Sequence, residues 1–172
     1  MDRKRIVILY FIIFVGMLLS LYLLYAHFVP EGNRLCTFGQ MFNCDIANKS
    51  PYANLDGISY LLTIEFNLPL PLITIADTHP ILDFLTTNSF LGFLTLLIIL
   101  TLVRRRYYSR DFMFIEYQKI QSWLRGITLF SVLYGVYLIF VQHYILKTYC
   151  IFCLALDLVL FSVFLLVWSD KD

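Results

Sequence analysis

Four stretches of the chain stay free of charge for nearly the length of a bilayer, and polar or basic segments separate them. Ile6–Phe28 runs 23 residues without Asp, Glu, Lys or Arg, and Pro30, Gly32 and Asn33 stop it. Ser89–Val103 is shorter and ends at Arg104-Arg105-Arg106. Gly126–Leu146 is interrupted only by His143, and Tyr149–Trp168 only by Asp157. A spanning helix needs about 20 such residues. The runs are continuously apolar and do not alternate with period two, which excludes the strands of a membrane barrel. The pattern predicts an all-α membrane protein: a four-transmembrane-helix bundle forming one domain over residues 1–172. Its helices fall at about 6–28, 89–103, 126–146 and 149–168. A large outer loop, 29–88, joins the first two, and a second loop covers 104–125.

The first segment has the basic start of a signal peptide, Arg3-Lys4-Arg5. Its core is too long and no small-x-small cleavage site follows, so it reads as an anchor. Within the outer loop, residues 29–57 are rich in Gly, Asn, Asp and Pro and read as turns. Residues 58–87 are apolar but broken by Glu65, Pro69, Pro71 and Asp77, so they cannot span. They fit either a lid over the bundle or an amphipathic loop on the membrane surface. Residues 104–125 mix Arg with Tyr, Phe and Met and read as helical extensions at headgroup level.

Composition narrows the function. The chain is 60% hydrophobic, 17% aromatic and 15% charged, with net charge +1. A soluble enzyme carries about a quarter charged residues. A nucleic-acid binder needs a basic footprint that is absent here. Orientation follows from Lys and Arg, which concentrate on the cytoplasmic side. With four spans, one side holds ten of them (Arg3, Lys4, Arg5, Arg104, Arg105, Arg106, Arg110, Lys119, Arg125, Lys171). The other holds three: Arg34, Lys49 and Lys147. The termini and loop 104–125 are therefore expected in the cytoplasm. Loop 29–88 and the turn before residue 150 are expected in the periplasm, the cell exterior or the ER lumen.

All four cysteines then fall on the oxidising side. Cys36 and Cys44 lie in the outer loop and enclose seven residues, and Cys150-Ile-Phe-Cys153 opens the last helix. Residues i and i+3 share a helix face, so a CxxC there can close a disulfide. The helix N-terminus favours a thiolate. A mobile loop pair can reach both an external partner and the CxxC, making a relay by thiolate attack through mixed disulfides. Two static structural disulfides remain open as an alternative, as do unpaired core cysteines. A four-thiolate zinc site is also conceivable, although seven intervening residues fit zinc knuckles poorly. No metal is expected.

In combination these residues resemble the vitamin K epoxide reductase family, and most nearly its bacterial homologues. The resemblance rests on Cys36-x7-Cys44, on Ser50 six residues later, and on Pro51-Tyr52-Ala53-x-Leu55-x-Gly57-Ile58. Asn88-Ser89-x-x-Gly92 and Tyr149-Cys150-Ile151-Phe152-Cys153 complete it. The resemblance implies a thiol:quinone oxidoreductase that drives extracytoplasmic disulfide formation, and a quinone pocket near the outer surface. It implies that Cys153 meets the quinone (ubiquinone, menaquinone or vitamin K type), Cys150 exchanges with Cys44, and Cys36 meets the partner. It places Asn88 on a quinone oxygen and Ser50 near the CxxC. The implied partner is a thioredoxin-fold thiol-oxidising protein, separate from this chain. The implied location is the bacterial cytoplasmic membrane with the site facing outward. A vitamin K (epoxide) reductase of the ER membrane is the alternative, and a non-enzymatic protein with static disulfides is a third.

One departure stands out. Vertebrate members carry Tyr four residues after the second CxxC cysteine, where this chain has Asp157. Asp157 lies on the face of Cys153, about 6 Å further along the axis. A carboxyl there is expensive to ionise. It reads either as a proton donor or hydrogen-bond partner for quinone, or as an interhelical hydrogen bond to a residue such as Tyr134 or Tyr137. His143, near the CxxC turn, can tune a thiolate or simply sit at the interface. His79 lies in the lid-like segment. The tyrosines Tyr134, Tyr137 and Tyr144 read as packing and interfacial belt. No phosphate-binding Gly-rich loop or HExxH motif is present.

Overall fold

The computed structural model describes residues 3–29, 41–69, 71, 72, 74, 79–108 and 116–170. Cys36 and Arg34 of the outer loop, Arg110 and Lys171 lie outside the described residues.

The chain folds as an all-α membrane bundle. Four helices are long and apolar enough to cross a membrane: Arg3–Phe28, Asn88–Tyr107, Gln118–Leu146 and Ile151–Trp168. We label the helices α1 (Arg3–Phe28), α2 (Cys44–Asn48), α3 (Asp56–Tyr60), α4 (Pro80–Thr86), α5 (Asn88–Tyr107), α6 (Tyr117–Phe140) and α7 (Ile151–Trp168). A π-helical turn, Leu61–Glu65, continues α3, and another, Val141–Leu146, continues α6. Helix α1 packs on α5 and α7, and α6 closes the ring by packing on the same two. Ile6, Leu9, Ile13, Gly16, Ser20 and Leu23 are buried at three- and four-residue spacing, which turns one stripe of α1 inward. Val7, Phe11, Phe14, Leu18 and Tyr25 on its other faces are exposed. A soluble protein would not tolerate such a surface, whereas lipid covers it without penalty.

Helices α5 and α6 run past the charges that close the apolar runs, through Arg104–Arg106 on α5 and back to Tyr117 on α6. Arg, Lys and Gln are good helix formers, so a hydropathy boundary is not a helix boundary. These extensions also hold the end of α7. Gln121 Nε2 donates to the Val167 carbonyl at 3.1 Å, and Arg125 Nη2 to that of Asp170 at 3.1 Å. Arg106 pairs with the Asp170 carboxylate at 3.0 Å. Carbonyls left open at a helix C-terminus thus meet cations and an amide.

The cysteines Cys44, Cys150 and Cys153 lie at the opposite end, under a cap made from the loop between α1 and α5. The cap is tied down by polar contacts. Asn48 Nδ2 donates to the Leu23 carbonyl at 2.8 Å, and the His27 ring contacts the Asn48 carbonyl at 2.5 Å and Asp83 at 3.3 Å. Asn54 Nδ2 donates to the same Asp83 carboxylate at 2.9 Å. Leu55 N–H donates to the Thr86 carbonyl at 3.1 Å. Gly57 packs on the backbone of Tyr52 so closely that a Cβ would sit 2.6 Å from the Tyr52 Cα. Only glycine allows that approach.

Candidate functional site

The site is built where the cap meets the start of α7. Tyr149 N–H donates to the Met41 carbonyl at 2.9 Å, and Asn43 N–H donates to the Tyr149 carbonyl at 3.0 Å. These bonds form a short parallel bridge, Phe42 to Tyr149. The residues that follow on the two strands of this bridge are those that lead into Cys44 and Cys150. Both cysteines are buried, at 4% and 0% exposure, in one apolar cluster with Ala47 and Leu156. Asn43 caps α2 by accepting from the N–H groups of Asp45 and Ile46, which fixes Cys44 as the first residue of that helix.

Cys150 is itself the N-cap of α7, and its Sγ accepts from the Cys153 N–H at 3.2 Å. Cys150 and Cys153 form a disulfide, with Cα atoms 5.1 Å apart. The Cys150 N–H donates to Oε1 of Gln142 at 2.8 Å, and Gln142 is buried. Gln142 lies in the π-helical turn that ends α6, and the chain reverses at Lys147, whose φ of 51° is left-handed. The reversal brings the turn back over the CxxC.

Cys153, packed against the same cluster, also lines a cavity of about 60 Å³ between the cap and the bundle. Asn48, Tyr52, Asn88, Ser89, Gln142 and Asp157 supply its polar wall, and Leu23, Leu138, Val141, Leu146 and Leu156 its apolar one. That volume holds a few waters.

Asn88 is the hinge pin of this wall. Its Nδ2 donates to the Tyr52 carbonyl at 2.9 Å, joining α5 to the cap. Its Oδ1 accepts from the Tyr134 hydroxyl at 2.7 Å, joining α5 to α6. Tyr134 therefore does not bond Asp157, contrary to one expectation from the sequence; Asn88 is its acceptor. The Tyr137 hydroxyl is buried without a hydrogen bond, and so is Oδ2 of Asp157. Asp157 packs against Gly135, where a Cβ would lie 2.8 Å from its Oδ1.

Ser50 stands apart from the cavity. Its hydroxyl donates to the Ala47 carbonyl at 3.0 Å, and the residue lines a separate polar hollow with His27, Asn54 and Asp83. His143 contacts the Tyr149 hydroxyl at 2.5 Å on the exposed side of the turn, not a sulfur. His79 caps α4 by accepting from the Ile81 N–H. Asn48 and Gln142 were not singled out by sequence reasoning; Tyr52 entered only as a motif residue, and Tyr134 only as a possible partner of Asp157 or a packing residue. A lone amide in an apolar span is a usable signal for Gln142. Tyr52 donates to Glu65 at 3.4 Å; burial, with the Glu65 carboxylate adding to it, pushes the Tyr52 hydroxyl up and keeps it a donor. Among the described residues, no three His, Cys, Asp or Glu side chains gather as metal ligands.

The model of the vitamin K epoxide reductase family matches residues 7–168, nearly the entire chain. The chain belongs to the vitamin K epoxide reductase family. It is accordingly a membrane oxidoreductase of a family whose members act on quinones. No curated protein matches the chain significantly.

Gln142 is where this family member holds its CxxC turn. Leucine at 142 leaves the buried Cys150 N–H without an acceptor, at a cost of about 1–3 kcal/mol. Thermal unfolding should fall accordingly, while Gln142→Glu, which keeps an acceptor oxygen, should lose less.

Proposed function

We propose that this chain is a thiol:quinone oxidoreductase that drives disulfide formation outside the cytoplasm. A thioredoxin-fold partner gives up two thiols to the Cys36/Cys44 pair. That pair, now reduced, exchanges with Cys150/Cys153. The reduced CxxC closes again as a disulfide while two electrons and two protons pass to a quinone, forming quinol. The observation that carries this reading is the two-sidedness of the CxxC. Cys150 is buried in the cluster that contains Cys44, and Cys153 lines the polar-rimmed cavity. A disulfide placed between a thiol source and a pocket is the arrangement a relay needs.

Within this reading, Cys150 is the sulfur exchanged with Cys44, and Cys153 the one that faces quinone. Asn88 and Asp157 lie on the cavity wall as candidate quinone contacts. Ser50 acts on the cap rather than on the quinone. The basic end of the bundle is cytoplasmic and the cysteine end faces outward, a reading supported by the ten-to-three distribution of Lys and Arg. A bacterial cytoplasmic membrane fits this best.

Complete burial of Cys150 also suits a static structural disulfide, and the two readings differ in turnover. Purified protein is mixed anaerobically with a reduced thioredoxin-fold protein and a short-chain ubiquinone or menaquinone analogue. The relay gives quinone reduction with two thiols lost for each quinol formed. A static disulfide gives no reaction with any quinone and no thiol loss.

A further inference from the structure

A glutamine joins the α6 side of the bundle to α7 at each end. At the basic end Gln121 Nε2 donates to the Val167 carbonyl at 3.1 Å. At the cysteine end the direction reverses, and Gln142 Oε1 accepts from the Cys150 N–H at 2.8 Å. The Gln142 carbonyl also accepts from the N–H groups of Lys147 and Thr148, so one residue clamps the whole turn. Gln142 is 5% exposed and Cys150 0%, so bulk water does not replace this acceptor. With its N–H held, Cys150 keeps an extended backbone, φ −96° and ψ 111°, and serves as N-cap of α7. That backbone aims its Sγ at the Cys153 N–H, 3.2 Å away. While the disulfide is closed, the covalent bond itself keeps the sulfur in place. Once it opens, the Phe42–Tyr149 bridge fixes the chain as far as Tyr149, and Gln142 fixes Cys150. The cavity amides Asn48 and Asn88 bond the Leu23 and Tyr52 carbonyls instead.

We propose that Gln142 is a positioning residue that sets the reduction potential of the CxxC. The proposal rests on the relay reading above and adds what draws electrons into the last pair. In the dithiol, Cys150 is held as N-cap and its sulfur accepts the Cys153 N–H as a thiolate. An N–H donated to an anion is among the stronger hydrogen bonds. The N-terminus of an 18-residue helix adds to it. Both interactions favour the reduced form, and the closed disulfide needs neither. A pair whose reduced form is stabilised is a stronger oxidant. The favoured step balances within the chain. The Cys150–Cys153 bond breaks, a Cys36–Cys44 bond forms, and two electrons pass to the CxxC. Cys153 takes one thiol proton; with Cys150 a thiolate, the other leaves to the outer solvent.

The test is an equilibrium with glutathione and needs no quinone. The full chain in phosphatidylcholine nanodiscs is held anaerobically in neutral buffers of graded reduced and oxidised glutathione. Two glutathiones reduce the CxxC disulfide and leave as glutathione disulfide. Alkylation in denaturant followed by mass spectrometry reads the reduced fraction at Cys153. Gln142→Met keeps the length of the side chain and removes its oxygen, and Gln142→Leu repeats the loss with a second apolar side chain. At a fixed glutathione ratio the dithiol-to-disulfide ratio should fall about tenfold in both, a shift of about 30 mV toward more reducing values. Gln121→Met loses a bond of the same kind between the same parts of the bundle. It should lower the unfolding temperature as Gln142→Met does and leave the ratio unchanged. Cooperative unfolding of the oxidised variants shows that they are folded. A ratio that moves alike at positions 121 and 142, or at neither, overturns the proposal. An unsubstituted disulfide that stays closed in every buffer takes down the relay reading and this proposal together. A shift confined to position 142 in a protein that reduces no quinone upholds the role of Gln142 and removes only the quinone.

Discussion

Serine at Cys153 should stop quinone reduction, lowering its rate by at least about a thousandfold, as loss of a nucleophile does in other enzymes. The same variant should accumulate a covalent bridge between Cys44 and Cys150. The physical reason is a division of labour written into the burial pattern. Cys153 is the member of the pair on the cavity wall, so no other described sulfur reaches a quinone there. Cys150 is fully buried in the cluster that holds Cys44, and the Phe42–Tyr149 bridge fixes the two chain segments side by side. Without Cys153, a Cys150 thiolate that attacks the Cys36–Cys44 disulfide at Cys44 releases the Cys36 thiolate and forms a mixed disulfide that no thiol on the CxxC side can resolve. The thiolate is helped by its position as N-cap, because the Cys153 N–H already aims at its Sγ. Non-reducing mass spectrometry of protease digests reads the bridge directly. A protein with static disulfides would show Cys150 as a free thiol in this variant and no Cys44–Cys150 peptide. Cys150→Ser should not yield such a bridge, since the sulfur that makes it is gone.

Leucine at Asn88 is the second large effect, expected to unfold the cap and abolish turnover together. Asn88 joins α5 to both the cap and α6, through Tyr52 and Tyr134. Removing it deletes two hydrogen bonds and leaves the Tyr52 carbonyl and the Tyr134 hydroxyl unpaired, for a loss of about 2–4 kcal/mol. Aspartate at this position separates structure from chemistry. It keeps the acceptor for Tyr134 and loses the donor to Tyr52, so stability should fall by about half as much. If Asn88 also donates to a quinone oxygen with its remaining N–H, Asn88→Asp raises KM for quinone well beyond what Tyr52→Phe does, because Tyr52→Phe leaves the Asn88 amide intact. Equal KM values in the two variants would reduce Asn88 to a purely structural pin. Limited proteolysis of loop 41–69 reports cap release, and quinone absorbance reports turnover.

The residue pattern carries the membrane architecture because lipid imposes it locally. Any run of about 20 apolar residues must satisfy its backbone within itself, and helix is the solution whatever its neighbours do. The four spans, the all-α class and the family were therefore legible from Ile6–Phe28, from the later runs and from the motifs around Cys44 and Cys150. Gly57 was legible only as a motif letter, and its reason appears when Tyr52 is seen packed against it. The helical extensions expected over 104–125 were legible too: α5 runs on to Tyr107 and α6 starts at Tyr117, although Arg104–Arg106 close the hydropathy window. The partners of the polar side chains were not legible at all. Tyr134 and Asp157 come within one residue class of each other in sequence logic, yet the hydroxyl chose Asn88, across the bundle on α5. Ser50 belongs to the cysteine motif and still turns its hydroxyl to Ala47, away from the cavity. Hydrogen bonds and cavities join residues that are far apart in the chain, and a few degrees of helix rotation decide which side chains meet. The sequence by itself thus determined the membrane, the helices and the placing of the cysteines in a loop pair and a CxxC. Only the tertiary structure decided which amide holds the CxxC turn, which residues wall the cavity beside Cys153, and that Asp157 rests on Gly135.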